Sequence, residues 1–182
     1  MGVRPAYAEA AKQIGELLGK RQIELVYGGS RLGLMGVLAD ACLSSGGRVS
    51  GVIPRALVDK EIAHRGLTKL HVVNSMHERK ALMADLADAF VALPGGYGTW
   101  EEFCEVLTWS QLGLQRKPCA LLNVNDYYGP LLTMVERGVH EGFLRDVHRD
   151  LLLADKDPTR LLDRLVSYVV PVAEKWMDTK AR

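Results

Sequence analysis

Apolar residues recur along this chain in two alternating rhythms. From Pro5 to Lys20 they fall at Ala8, Ala11, Ile14, Leu17 and Leu18, the spacing of one helix face. Residues 23–27 follow as a short strand, and the turn Gly28-Gly29-Ser30-Arg31-Leu32-Gly33 ends it. Residues 34–45 predict a helix of small side chains, closed by Gly46-Gly47. Strands are predicted at 48–53, stopped by Pro54, and at 69–73. The rhythm continues with a helix at 75–87, a strand at 89–93, a helix at 99–112 and a strand at 119–124. A helix at 127–141, a short strand at 151–153 and a helix at 159–168 complete it, before a tail around Pro171 and Trp176. Strand alternates with helix, and the strands are continuous apolar runs. That pattern predicts an α/β fold with a parallel sheet covered on both faces. Ligands of such sheets bind outside the carboxyl ends of the strands. Both glycine turns and the helix start at Ser75 fall on that edge.

Composition narrows the class. The chain has 182 residues, 48% hydrophobic and 25% charged, with no repeat or linker, which predicts one domain over residues 1–182. Its 23 basic and 22 acidic residues give net charge +1, which argues against nucleic acid or an anionic membrane as partner. Cys42, Cys104 and Cys119 lie far apart and lack metal-ligand spacing. They read as buried thiols of a reducing compartment, and no metal site is expected. No run is long enough to span a membrane and no signal peptide opens the chain, so a cytoplasmic setting is expected.

Three segments can carry chemistry. The first is the turn with Gly29, Gly33 and Gly36, which suits a phosphate or equally a close helix–strand contact. It lacks G-x-G-x-x-G spacing, and strand 48–53 ends without the acidic residue that would bind an NAD ribose. No P-loop sequence is present either. The second segment is Ser75-Met76-His77-Glu78-Arg79-Lys80. Ser75 and Glu78 have capping-box spacing, which gives Glu78 a structural role. Arg79 shares a stripe with Met83 and Leu86 that should face the core, so its charge needs a partner or a cleft. A guanidinium there suits a phosphate or carboxylate. Lys80 is a phosphate contact or a solvated side chain, and His77 reads as a surface residue.

The third segment, Pro94-Gly95-Gly96-Tyr97-Gly98-Thr99-Trp100-Glu101-Glu102, follows a buried strand and opens a helix. Its backbone N–H groups can cradle an anion at the helix N-terminus. Thr99 and Glu102 again have capping-box spacing. A carboxylate in the first turn would be kept ionised by the helix dipole and could stabilise an oxocarbenium-like centre or activate water. Glu101, Glu105 and Thr108 form a second stripe, read also as a solvated face. Trp100 and Trp109 read as packing or interface residues.

These segments together resemble the Lonely Guy family of cytokinin-activating phosphoribohydrolases. The family's PGGxGTxxE motif is matched at residues 94–102, its GLMG turn at 33–36, and its MHERK helix start at 76–80. The resemblance implies a Rossmann-like three-layer sandwich with a central parallel sheet. It implies hydrolysis of the N-glycosidic bond of N6-substituted adenosine 5′-monophosphates to free base and ribose 5-phosphate. Arg79 and Glu102 then correspond to the catalytic pair. Glu78, Lys80, Gly96, Tyr97, Gly98, Thr99, Trp100, Glu101 and Thr108 correspond to substrate-binding positions, with Gly29 in the first glycine turn. A small-molecule nucleoside monophosphate is the expected partner, water the second reactant, and no cofactor is required. Relatives form homodimers with the active site near the interface, and Trp109, Leu112 and Leu114 could supply an apolar patch or pack within the monomer.

Older descriptions call such proteins lysine decarboxylases, but only Lys80 stands near the candidate site, beside Arg79. The alternative function is a non-catalytic nucleotide or phospho-cofactor carrier. Glu102 favours the enzyme, because a carrier of an anion gains nothing from a nearby carboxylate. Two departures from the family pattern stand out. The chain starts directly at the first helix, without the usual preceding strand, so a longer natural N-terminus is expected. Ser30 replaces a common glycine, which matters only if its φ must be positive.

Overall fold

The structure, a computed structural model, describes residues 1–58, 60 and 62–169. The tail around Pro171 and Trp176 lies outside the described residues. The chain divides into two compact units, Met1–Ala87 and Asp88–Arg182.

The first unit contains α1 (Pro5–Lys20), β1 (Leu25–Tyr27), α2 (Gly33–Ser44), β2 (Val49–Pro54), α3 (Arg55–Val58), β3 (Lys69–Val73) and α4 (Met76–Leu86). Its strands form a parallel sheet in the order β1-β2-β3, with Leu25 opposite Val49 and Gly51 opposite Leu70. All six residues of β2 are buried, as its continuous apolar run requires of a middle strand. In β3, Lys69 and Val72 are exposed, the pattern of an edge. Past α2, Gly46 adopts φ +78°, and its N–H bonds the Leu43 carbonyl at 3.0 Å. Gly47 N–H bonds the Cys42 carbonyl at 2.9 Å, completing the expected glycine C-cap as a Schellman motif.

The second unit contains β4 (Phe90–Ala92), α5 (Tyr97–Gln111), β5 (Cys119–Leu122), a 3₁₀ turn (Val124–Asp126), α6 (Gly129–His140), α7 (Asp146–Arg149), β6 (Leu152–Asp155) and α8 (Pro158–Ser167). Its parallel sheet runs β4-β5-β6, with Phe90 opposite Cys119 and Cys119 opposite Leu152. Phe103 and Val106 of α5 pack against Ala92, Cys119, Leu121 and Tyr128 to form its core. Trp109, partly buried, packs on the same cluster, as its packing reading expects.

The α/β alternation stands, with four corrections. Pro54 does not stop β2; it pairs in register with Val73. The short helices α3 and α7 were not legible from periodicity, which needs more than one turn to show. Leu86 is 42% exposed, and Arg79 is the buried residue of α4, so the supposed core stripe holds only at its start. Cys104 is exposed, whereas Cys42 and Cys119 are buried as expected.

Candidate active site

In the second unit the glycine-rich loop leaves β4 and becomes α5. The helix starts at Tyr97, with Gly96 as N-cap at φ −96° and ψ −158°. The expected Thr99–Glu102 capping box is therefore absent: Thr99 already lies inside the first turn. Glu101 and Glu102 fall in the second turn rather than the first, where the helix dipole acts more weakly. Thr99 serves another purpose, since its hydroxyl lies where a Cβ on Gly95 would stand.

The first bond of α5 runs from Trp100 N–H to the Gly96 carbonyl, at 3.1 Å. No side chain caps this start, so the N–H groups of Tyr97, Gly98 and Thr99 point out of the helix end. A Cβ added at Gly96 or Gly98 would meet nothing within 4 Å. Neither glycine is demanded by packing or by a positive φ. Both leave bare backbone facing open space, which is what a closely approaching anion requires. Gly98 and Glu102, four residues apart, lie on one stripe of α5. Glu102 is half-buried on that stripe, while Glu101 and Thr108 are exposed on another. Thr108 returns its hydroxyl to the Cys104 carbonyl at 2.7 Å. Tyr97 is 86% exposed and stacks edge-to-face on Trp100, with ring centres 5.3 Å apart.

In the first unit, Arg79 is 7% exposed, and its Nε–H donates to the Val52 carbonyl at 3.2 Å. The guanidinium lies against Gly28, where a Cβ would collide with it. The glycine at the end of β1 is thus the seat of a buried cation, a role that periodicity alone does not reveal. Gly29 follows at φ +73°, and its carbonyl accepts from His64 N–H at 2.9 Å. Ser30 has no positive φ; its hydroxyl accepts from Leu32 N–H at 3.1 Å, so serine serves this position. Glu78 N–H donates to Ser75 Oγ at 3.1 Å, and the Glu78 carboxylate accepts from Asn74 N–H at 2.8 Å. Its capping role is real, with the return bond one residue earlier than the motif's usual partner. Lys80 is half-buried and His77 exposed.

These features define a protein of the Rossmann-like α/β class with a helix start open to an anion. A family profile described as "Possible lysine decarboxylase" matches residues 35–165. A cytokinin riboside 5′-monophosphate phosphoribohydrolase of Rhodococcoides fascians is 56% identical over 152 residues, covering 83% of this chain and 77% of that protein. The enzyme of that name from Arabidopsis thaliana, LOG7, is 47% identical over 92% of this chain and 77% of its own length. The chain belongs to this family, the Lonely Guy phosphoribohydrolases. A solved molybdenum cofactor binding protein from Rippkaea orientalis shares the fold, with TM-score 0.69 at 18% identity over 90% of this chain and 88% of that one.

Proposed function

We propose that this chain hydrolyses the N-glycosidic bond of N6-substituted adenosine 5′-monophosphates, releasing the free base and ribose 5-phosphate. The observation that carries the reading is the uncapped start of α5 with bare glycines at Gly96 and Gly98. The 5′-phosphate binds the N–H groups of this turn. Glu102, one turn along the Gly98 stripe, stands beside the ribose. As the C–N bond breaks, its carboxylate stabilises positive charge at the anomeric carbon or takes the proton of the attacking water. The hydroxyl joins that carbon and the base leaves with its bonding electrons and a proton. Arg79, held by Val52 and seated on Gly28, supplies the fixed guanidinium of the pair. Glu78, Lys80, Tyr97, Thr99, Trp100, Glu101, Thr108 and Gly29 complete the substrate-binding set that family membership implies.

Decarboxylation of lysine through pyridoxal phosphate fits poorly. That chemistry needs a lysine desolvated enough to form a Schiff base. No lysine among the described residues is buried, and Lys80, at the start of the second turn of α4, is half-buried beside Arg79. Residues 1–182 act as one hydrolase domain in this reading. A homodimer in the cytoplasm is part of it, supported by three thiols without a disulfide and by Leu112 and Leu114, 53% and 72% exposed. Sedimentation at micromolar concentration should show the dimer; a monomer alone would remove that part.

The deciding experiment incubates the protein with AMP and with isopentenyladenosine monophosphate and follows free base by chromatography. Wild type should release base, and Glu102→Gln should bind comparably yet turn over slower by about three orders of magnitude or more. Binding without release by a folded sample would make the protein a carrier instead.

A further inference from the structure

Two adjacent tyrosines brace the glycine-rich loop from behind. Tyr127 donates its hydroxyl to the Gly95 carbonyl, and Tyr128 donates to the Leu93 carbonyl at 2.6 Å. Their rings meet edge-to-face with centres 4.9 Å apart. The turn that delivers them is itself constrained. Asn125 and Asp126 both have positive φ, +50° and +58°. Asn123 anchors the turn at both ends: its Nδ2 donates to Asp126 Oδ1 at 3.1 Å, and its Oδ1 accepts from Tyr128 N–H at 2.7 Å. Asn and Asp are the side chains that tolerate such left-handed positions.

The two carbonyls have different consequences. In a trans peptide, the C=O of one residue and the N–H of the next point in opposite directions. Holding the Gly95 carbonyl toward Tyr127 therefore turns the Gly96 N–H away from Tyr127. The plane lies between two glycines, where a peptide flip meets the least steric resistance. Accepting a hydrogen bond at C=O also polarises the peptide and strengthens its N–H as a donor. The Leu93 carbonyl, by contrast, precedes Pro94, which has no N–H to aim.

We propose that Tyr127 is a positioning residue that locks the Gly95–Gly96 peptide plane so that the Gly96 N–H faces the ligand phosphate, while Tyr128 only anchors the loop. This rests on the reading of the loop as a phosphate cradle. The test compares the full chain with Tyr127→Phe and Tyr128→Phe, each losing one hydroxyl and no ring. Calorimetric titration with AMP and with adenosine, in the Glu102→Gln background so that AMP is not consumed, gives the phosphate preference as a ratio of Kd values, and thermal unfolding gives Tm. Tyr127→Phe should lower the AMP preference about tenfold, the scale of one hydrogen bond to a charged group, with adenosine affinity unchanged. Tyr128→Phe should lower Tm by several degrees and leave the preference intact. A Tyr127→Phe protein that keeps the preference of its Glu102→Gln parent, or that loses affinity for both ligands equally, overturns the lock. A parent that binds AMP no better than adenosine overturns the phosphate cradle itself.

Discussion

Arg79 and Gly98 show how single positions separate function from packing. Arg79 is a buried cation on a bare glycine, bonded to Val52. Arg79→Ala is expected to weaken AMP binding at least about tenfold more than adenosine binding, because a guanidinium recognises the phosphate and not the base. Equal losses in paired titrations would assign Arg79 to packing alone. Gly98 gives the reverse contrast. Beyond its own turn, a Cβ there meets no atom of the described residues within 4 Å, and the φ is not positive. Gly98→Ala should therefore leave Tm unchanged or raise stability by up to about 1 kcal/mol, as alanine does in a helix. The same methyl group would stand on the stripe leading to Glu102, so kcat/KM should fall about a hundredfold. Urea unfolding and steady-state kinetics on one preparation read both effects. The residue types of the proposed phosphate turn were legible in the sequence, since glycines and a carboxylate at a strand-to-helix turn already imply an anion. Tyr127 was not, because it reaches the loop through a fold-back of 32 residues that no spacing rule encodes.

At the scale of the element, α5 corrected the reading most. Capping-box spacing placed its start at Thr99, but the chain turns helical at Tyr97 with a glycine N-cap. The motif's threonine fills the space over Gly95 instead. Spacing reports which side chains can meet, not which one the backbone uses as its cap. The second and fifth strands were clearer, because full burial on both faces demands an unbroken apolar run. The outward face of α5 also carries Cys104, which spacing alone had counted among the buried thiols. A disulfide-exchange reagent should therefore titrate one thiol in the native protein and three after denaturation. Loss of the native signal in Cys104→Ser would assign it. Two or more fast thiols in the native state would contradict the burial of Cys42 and Cys119.

Across the whole chain, alternation of strand and helix foretold the α/β class, while composition foretold little of its electrostatics. Burial holds the His148 imidazole below its ordinary pKa, aided by the Arg145 guanidinium. The folded state thus prefers neutral His148, and stability is lost as pH falls below about 6.5, the ordinary histidine value. A second loss follows at lower pH. The Ser50 hydroxyl and then Arg48 hold Glu24 below its usual range. Burial works to raise Asp155, but the Asp157 N–H and Arg160, at 2.9 and 2.8 Å, outweigh it and hold it low. Both depressed carboxylates stabilise the fold above their unfolded pKa, and that contribution disappears as pH drops through the folded values. Thermal unfolding from pH 8 to 2 should show Tm declining in two stages, the second below about pH 4.5, with His148→Gln flattening the first. An unchanged first stage in that variant would place its origin elsewhere.

In the proposed reaction the stripe from Gly98 to Glu102 is also a ruler. Four helical residues span about 6 Å along the axis. That length is comparable to the reach of one phosphate and one furanose ring up to the anomeric carbon. A second phosphate inserts a whole P–O–P link between the end held by the helix and the bond to be cut. The ring would overshoot the carboxylate, and misplacement by an ångström already costs about a hundredfold in rate. ADP should therefore bind through its terminal phosphate and be cleaved at least about a hundredfold more slowly than AMP, so that α5 counts phosphates by its own rise per residue.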